Sequence, residues 1–301
     1  MNGFNLSEAS DIKLGSSTIT ALYLGSTKLW PTIDYSKQYL TVECTSGTTN
    51  VYGYAYCSYN STYTIGFTIY YSLDGGSTWT SKTISSSNVL IASITQGQKI
   101  LLKATIDAFE VTGYASSTTE RKIYFTGGTC IMYGNIMSLT DSDNFVSSTT
   151  ITQDKKFYNA FNSSTALTDT SNLILPATTL KYNCYMYMFR GCKSLTTAPQ
   201  LPATTLADSC YRGMFNSCTS LTTAPELPAI TLANSCYREM FDGCTSLSYI
   251  KCLATNISAD VAHYNWVSNV AATGTFVKPS SMTSWTSGTS GIPSGWTIVN
   301  I

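Results

Sequence analysis

Leu201-Pro202-Ala203-Thr204-Thr205-Leu206 opens a stretch that runs on through Cys210-Tyr211, Met214-Phe215, Cys218 and Ser220-Leu221. The same residue types recur without gaps 26 positions earlier, from Leu175 through Cys184, Met188-Phe189, Cys192 and Leu195. They recur again 26 positions later, from Leu227 through Cys236, Met240-Phe241, Cys244 and Leu247. So many identities in one register make a tandem repeat, and units of this size leave an apolar side bare until a neighbour covers it. Within one unit, Cys210, Tyr211, Met214, Phe215 and Cys218 fall at i, i+1, i+4, i+5 and i+8, which predicts one apolar stripe on a helix of roughly two to three turns. Ala207-Asp208-Ser209 supplies capping oxygens, and Asn216-Ser217 or Gly243 marks the end. The Leu-Thr-Thr-Ala-Pro-Glu-Leu-Pro stretch at 221–228 is too short and too proline-rich for a second helix, so an extended segment between turns is expected there.

A helix and a short strand in each 26 residues describe a solenoid. Its expected core is Cys184, Phe189, Cys192, Cys210, Met214, Phe215, Cys218, Cys236, Met240, Phe241 and Cys244. The cysteines lie too far apart along the chain for the usual paired metal ligands and lack histidine partners, so they read as small apolar fillers between units. They are expected as thiols in a reducing compartment, with disulfides left open for an oxidising one. A half unit carrying Phe161, Leu167 and Leu175 precedes the array, and Leu253 with Trp266-Val267 follows it, as degenerate capping units do. Arg190, Arg212 and Arg238 nearly keep the period and form a candidate binding face.

Working outward, residues 37–134 alternate apolar and polar in short runs such as 39–44, 63–71, 99–104 and 121–125, separated by turn residues. This predicts an antiparallel β-sandwich, immunoglobulin-like in outline. Within it, Ser72, Asp74, Gly76 and Trp79 fit the Ser-x-Asp-x-Gly-x-Thr-Trp pattern of the Asp-box. That motif resembles the one in sialidase propellers, but a single copy builds no propeller and its expected work is to hold a hairpin turn. In the first 36 residues, 12–19 is echoed ten residues on by 22–30, giving two small hairpins that cannot bury much alone. Leu14, Leu22, Leu24, Leu29 and Trp30 are the side chains expected to anchor them on a partner.

Composition bounds the partners. Of 301 residues, 40 are Ser and 46 Thr, 21 are Tyr and only 11% are charged, which favours strands over helices or disorder. With 17 basic and 17 acidic side chains the net charge is zero, which removes the electrostatic case for nucleic acid or an anionic membrane surface. No run of about 18 apolar residues exists, so no membrane insertion is expected. The residues from Met1 to Glu8 show neither the basic nor the apolar part of a secretory signal, and synthesis in a cytoplasm is expected. Neither a phosphate-binding loop, a nucleophile elbow nor a Ser/His/Asp set is present, and His263 is the single histidine; no catalytic residue, metal ligand or cofactor is assigned. Asp141-Ser142-Asp143-Asn144 opens like a calcium loop but lacks the later ligands, and is expected as a turn.

The Leu-Pro-Ala-x-x-Leu…Cys-Tyr-x-x-Met-Phe-x-x-Cys-x-Ser-Leu unit over about residues 157–255 resembles the BspA-type leucine-rich repeats of Bacteroidetes and their phages. The ending at 274–278 and 291–296 is similar to the usual close of such proteins, and 24–31 resembles N-terminal segments of tailed-phage fibre and appendage proteins. The resemblance implies a non-enzymatic, adhesive protein. The expected chain is therefore β-rich and multidomain: anchoring hairpins at 1–36, an immunoglobulin-like sandwich at 37–134, a solenoid cap and half repeat at 135–174, three leucine-rich repeats of an α/β solenoid at 175–252, and a C-terminal cap at 253–301. The expected role is that of a head or tail fibre subunit of a virion. Its partners would be other capsid or tail proteins, a host surface glycan or protein, and further copies of itself, a trimer by analogy with fibres. A bacterial BspA-like surface adhesin is the rival reading and a glycan depolymerase the third.

Overall fold

A computed structural model describes residues 33–56, 66–85, 88–105 and 120–301, together with the backbone of 12–14, 17–19, 22–24 and 27–30. Strand accounts for 34% of the described residues and helix for 5%, so the protein is β-rich. It divides into two compact units, Met1–Tyr35 and Ser36–Ile301.

The first unit carries two antiparallel hairpins ten residues apart. β1 (Ile12–Leu14) pairs with β2 (Ser17–Ile19), and β3 (Leu22–Leu24) with β4 (Thr27–Trp30), matching the duplication in the sequence. The anchoring expected of the Leu14, Leu22, Leu24, Leu29 and Trp30 side chains lies outside what is described.

The second unit begins with two long antiparallel strands, β5 (Leu40–Tyr56) and β10 (Glu120–Asn135). β5 pairs with β9 (Lys99–Ala104) through residues 40–43 and with β8 (Val89–Thr95) through residues 48–53. β6 (Phe67–Ser72) continues outward from β9 and β7 (Thr80–Ile84) from β6. Alternate residues Val42, Val51, Ile69, Ile100, Leu102, Ile123 and Phe125 are fully buried, as a half-buried pleated sheet requires. All these strands are hydrogen-bonded into one sheet, because β5 is long enough to serve different neighbours at its two ends.

β10 also starts a second, parallel ladder. It pairs with β11 (Leu167–Asp169) and β12 (Leu173–Ile174). From Asp169 the ladder steps by single bridges to Thr197, Thr223 and Tyr249. It widens again into β13 (Tyr249–Lys251), β14 (Thr275–Lys278) and β15 (Thr297–Asn300). The extended segments expected around the prolines of each repeat thus pair only through isolated bridges, such as those of Thr223 and Leu227.

The apolar segment of each repeat departs from expectation. Instead of the helix predicted over Cys210–Cys218, the backbone forms a ribbon of successive turns, and the sole α-helix among the described residues is α1 (Ser138–Asp141). Every fourth residue is left-handed: Ser209, Gly213 and Ser217 have φ of 55°, 57° and 62°. The amides then alternate. Those of Cys210, Arg212, Met214, Asn216 and Cys218 bond back three residues within the ribbon, while those of Ser209, Tyr211, Gly213, Phe215 and Ser217 bond to carbonyls of the next repeat at Asn234, Cys236, Arg238, Met240 and Asp242. A helix would spend every amide on itself; here half of them join one repeat to the next.

The left-handed triplets identify five such rungs, beginning at Lys155, Asn183, Ser209, Ser235 and Val261. The half unit expected before the repeats is a complete rung, offset by 28 residues instead of 26. The rungs stack in register, so each core position becomes a column. Phe161, Phe189, Phe215 and Phe241 lie with successive ring centroids 5.7 to 5.8 Å apart. A parallel column runs Phe157, Tyr185, Tyr211, Tyr237. Phe125 of β10 stacks on Phe161 at 6.2 Å, which joins the ladder of rungs to the sheet. At the other end the fully buried Trp266 stacks on Tyr237 and packs against Phe241, closing both columns with one side chain, and Trp285 covers it in turn at 5.3 Å.

Candidate binding face

The core residues expected from the repeat, Cys184, Phe189, Cys192, Cys210, Met214, Phe215, Cys218, Cys236, Met240, Phe241 and Cys244, are all at 0% exposure. Nine cysteines fall among the described residues, and all nine are buried free thiols. The Sγ of Cys192, Cys218 and Cys244 donate to the Phe161, Phe189 and Phe215 carbonyls of the preceding rung at 3.3, 3.1 and 3.0 Å. A small side chain with a weak donor suits that gap. Burial pushes the Cys184, Cys192, Cys236 and Cys244 thiols up to about 12 and those of Cys210 and Cys218 well above their ordinary value. At pH 8 these six cysteines should therefore resist a maleimide while the fold persists and react once denaturant unfolds it, as read by mass spectrometry. Rapid labelling of the folded chain would contradict the stacked arrangement. Among the described residues no group of three or more His, Cys, Asp or Glu is placed to hold a metal, and no helix is long and apolar enough to cross a membrane.

The Asp-box residues sit in the turn between β6 and β7. Ser72 Oγ donates to Asp74 Oδ1 at 2.7 Å and accepts from the Gly76 amide at 2.8 Å; the Thr78 amide and hydroxyl donate to the two Asp74 carboxylate oxygens at 2.9 and 2.6 Å. Chiefly the Thr78 hydroxyl, then its amide and the Ser72 hydroxyl, hold the Asp74 carboxyl well below the usual carboxylate range. A depressed carboxylate contributes stability above its unfolded pKa, lost as pH falls through the folded one. The turn should hold at neutral pH and loosen only below about pH 4. An NMR titration of the Thr78 amide should have its midpoint below that value; one at or above it would show the carboxylate is not so bonded.

Trp79, beside that turn, meets Tyr39 edge-on at 4.9 Å and lies under the Lys103 ammonium at 4.2 Å. Lys103 and the Tyr39 hydroxyl both donate to Asp143 Oδ1 at 2.6 Å. Asp143 belongs not to a plain turn but to a short 3-10 segment at 142–147, and these contacts tie it to the sheet.

The three arginines come together on the outer side of the rungs. Arg190 lies over the Tyr187 ring at 5.0 Å and Arg212 over the same ring at 5.9 Å. Arg190 belongs to a different column from Arg212 and Arg238, yet Tyr187 brings it to the first of them. Glu239 accepts from Arg238 Nε at 3.1 Å and pairs with Arg212 Nη2 at 3.6 Å. Arg238 reaches over Tyr264 at 5.3 Å, and Tyr158 meets Tyr187 edge-on at 6.2 Å. Gly213 is what lets this strip close up: a Cβ there would lie 2.3 Å from the Tyr187 ring. Tyr158, Tyr187, Glu239 and Tyr264 were not singled out from the sequence, because a helical reading faces them differently. Their signal was the outward pair of positions between Cys-Tyr and Met-Phe in each unit. His263 sits in the C-terminal cap, half-buried against Trp285 at 4.8 Å, with Nδ1 against the Ser290 carbonyl.

This geometry is a pre-ordered strip of planar cations and rings crossing all five rungs, with Glu239 pairing Arg212 and Arg238 and Arg190 set over the Tyr187 ring. It can stack on flat or ring-shaped surfaces and donate hydrogen bonds from fixed positions. No protein-family model, curated protein or solved structure matches the chain.

Proposed function

We propose that this chain is a non-enzymatic adhesive subunit of a tailed-phage particle. Residues 175–252 serve as the leucine-rich-repeat solenoid that meets the host surface, 37–134 as an immunoglobulin-like spacer, and the first 36 residues as the attachment to other capsid or tail proteins. The observation that carries the reading is the Tyr158–Tyr187–Arg190–Arg212–Glu239–Arg238–Tyr264 strip, an ordered and repeated face of residue types enriched in binding hot spots. The compact Met1–Tyr35 unit supports a separate attachment role. Weak contacts at each strip add through multiplicity when several copies sit on one particle.

Two measurements test this. Mass spectrometry of purified particles should find the chain, and particles without it end the virion reading. Residues 36–301 should fold and bind host cells without mounting on particles. Replacing both Arg212 and Arg238 by Ala in that fragment should weaken cell binding at least about tenfold. Unchanged cell binding would show that the strip is not the adhesive face.

A further inference from the structure

The side of the sheet that faces away from the core carries the same kinds of residue as the strip. On β5 and β10, Tyr52, Tyr54 and Tyr56 stand directly opposite Tyr124, Lys122 and Glu120, while the alternate residues Val51, Ala55, Ile123 and Phe125 are buried. Tyr52 and Tyr124 stack at 5.3 Å, and the Lys122 ammonium lies 4.7 Å over Tyr54 and 5.6 Å over Tyr124. β10 is in turn the neighbour of the first rung, through the Ile123 amide on the Ala160 carbonyl at 2.9 Å. At that junction burial lowers the Lys122 pKa and Glu120 partly restores it; burial raises that of Tyr158 and the same Glu120 raises it further. One carboxylate thus acts on both the sheet's cation and the first ring of the strip.

We propose that sheet and strip form one continuous face, running from Tyr52 to Tyr264, that binds an acidic polysaccharide lengthwise. Its charge selects the class. Among the described residues neither Lys122 nor Arg190 is ion-paired, and each cation is held over rings. Arg212 and Arg238 share the single Glu239, and the carboxylate of Asp242 is taken up by the Asn216 and Asn269 side-chain amides. Lys122, Arg190, Arg212 and Arg238 against Glu120 and Glu239 leave the face positive on a chain whose net charge is zero. A cation without a counter-ion matches a carboxylate, and the tyrosine rings match the flat C–H faces of sugar rings while their hydroxyls exchange hydrogen bonds with sugar hydroxyls. At the usual spacing of about 4.8 Å, the two strands and five rungs span about 29 Å, room for several sugars in a row. A nucleic acid, charged at every nucleotide, would set phosphates against Glu120 and Glu239. A protein partner would want an apolar anchor seated in a pocket, where this face presents hydroxyl-tipped rings. The inference rests on the adhesive reading above and deepens it: the sheet is part of the face that meets the host, and the host ligand is a carboxylate-bearing glycan.

The test titrates the full chain calorimetrically with three acidic hexasaccharides, built of galacturonate, of sialic acid, and of alternating glucuronate and N-acetylglucosamine. Neutral maltohexaose, hexathymidylate and hexaglutamate are titrated beside them. At least one acidic hexasaccharide should bind at least about tenfold more tightly than any of the other three. Lys122→Gln on the sheet and Arg190→Gln on the strip each remove a charge that holds no ion pair, so both variants should fold, and each should weaken that hexasaccharide at least about threefold. Four results overturn the inference: no binding of any acidic hexasaccharide, equal binding of maltohexaose, tighter binding of hexathymidylate or hexaglutamate, or an effect of one substitution without the other. Cell adhesion is measured in parallel. A chain that adheres but ignores the acidic hexasaccharides keeps the adhesive reading and loses this ligand, while one that binds them through both cations without adhering keeps the face and loses that reading.

Discussion

Phe215→Ala should lower the unfolding free energy of the 36–301 unit by about 3 to 5 kcal/mol. The ring is fully buried in the middle of a column, 5.7 Å from Phe189 and 5.8 Å from Phe241, so its removal strips a stacking partner from both neighbours at once. The rungs cannot slide together to fill the gap. Their separation is set by backbone bonds such as Phe215 amide to Met240 carbonyl at 3.0 Å and Phe189 amide to Met214 carbonyl at 2.9 Å, which Ala leaves in place. A cavity that cannot collapse lies at the costly end of the range. Phe215→Leu, which refills most of the volume, should cost markedly less. The measurement is the midpoint of urea unfolding, and an unchanged midpoint for Phe215→Ala would mean that the stacked column is misplaced.

A second large effect is expected from a change that adds one carbon. Gly134, near the end of β10, has φ of 91°, and a Cβ built there would lie 2.2 Å from the Tyr39 carbonyl oxygen and 2.9 Å from its carbon. Neither atom belongs to a side chain that can turn aside. Gly134→Ala therefore combines the strain of a left-handed non-glycine residue with a forced separation of β10 from the 38–39 segment. Those are about 1 to 3 kcal/mol each, for about 2 to 6 together. Next to it, the Asn135 amide bonds the Gln38 carbonyl at 2.9 Å, and the Gly134 amide bonds Asn172 ahead of β12 at 3.2 Å. Hydrogen exchange at Asn135 should accelerate along with the drop in midpoint. Protection equal to that of the parent chain would show that the backbones do not approach so closely.

Reading the sequence reached the period, the buried positions and the β-rich character, because each depends only on where apolar residues recur. It did not reach the backbone of the repeat. Cys210, Tyr211, Met214, Phe215 and Cys218 satisfy a four-residue turn ribbon as well as a helix, since over two turns the two periods diverge little. The distinguishing cue lies elsewhere, in Ser209, Gly213 and Ser217 at every fourth place, residues at ease with positive φ or tolerant of it. Tyr187, Glu239 and Val261 hold the equivalent left-handed positions in other rungs and blur that cue. The first rung was hidden by its 28-residue offset and by Lys156 standing where a cysteine was the rule. The binding face was half legible for a related reason: periodicity gives which residues share a column, but the meeting of Arg190 with Arg212 at Tyr187 depends on how neighbouring columns lean together.

The backbone bonds between the turn ribbons of successive rungs point one way, from the amide of one ribbon to the carbonyl of the next. Peptide dipoles so aligned add as they do along an α-helix, leaving partial negative charge at one end and partial positive charge at the other. Here the carbonyl-rich, negative pole is the rung that begins with Lys155 and Lys156, and the amide-rich, positive pole is the rung at 261–269, where Asn265 and Val267 direct their amides to the Ser290 hydroxyl and Thr289 carbonyl. The stack is thus a small electret whose end charges do not grow with the number of rungs. Its negative pole lies at the very rung where the chain buries the Lys156 side chain, a cationic residue type set at the end that favours one.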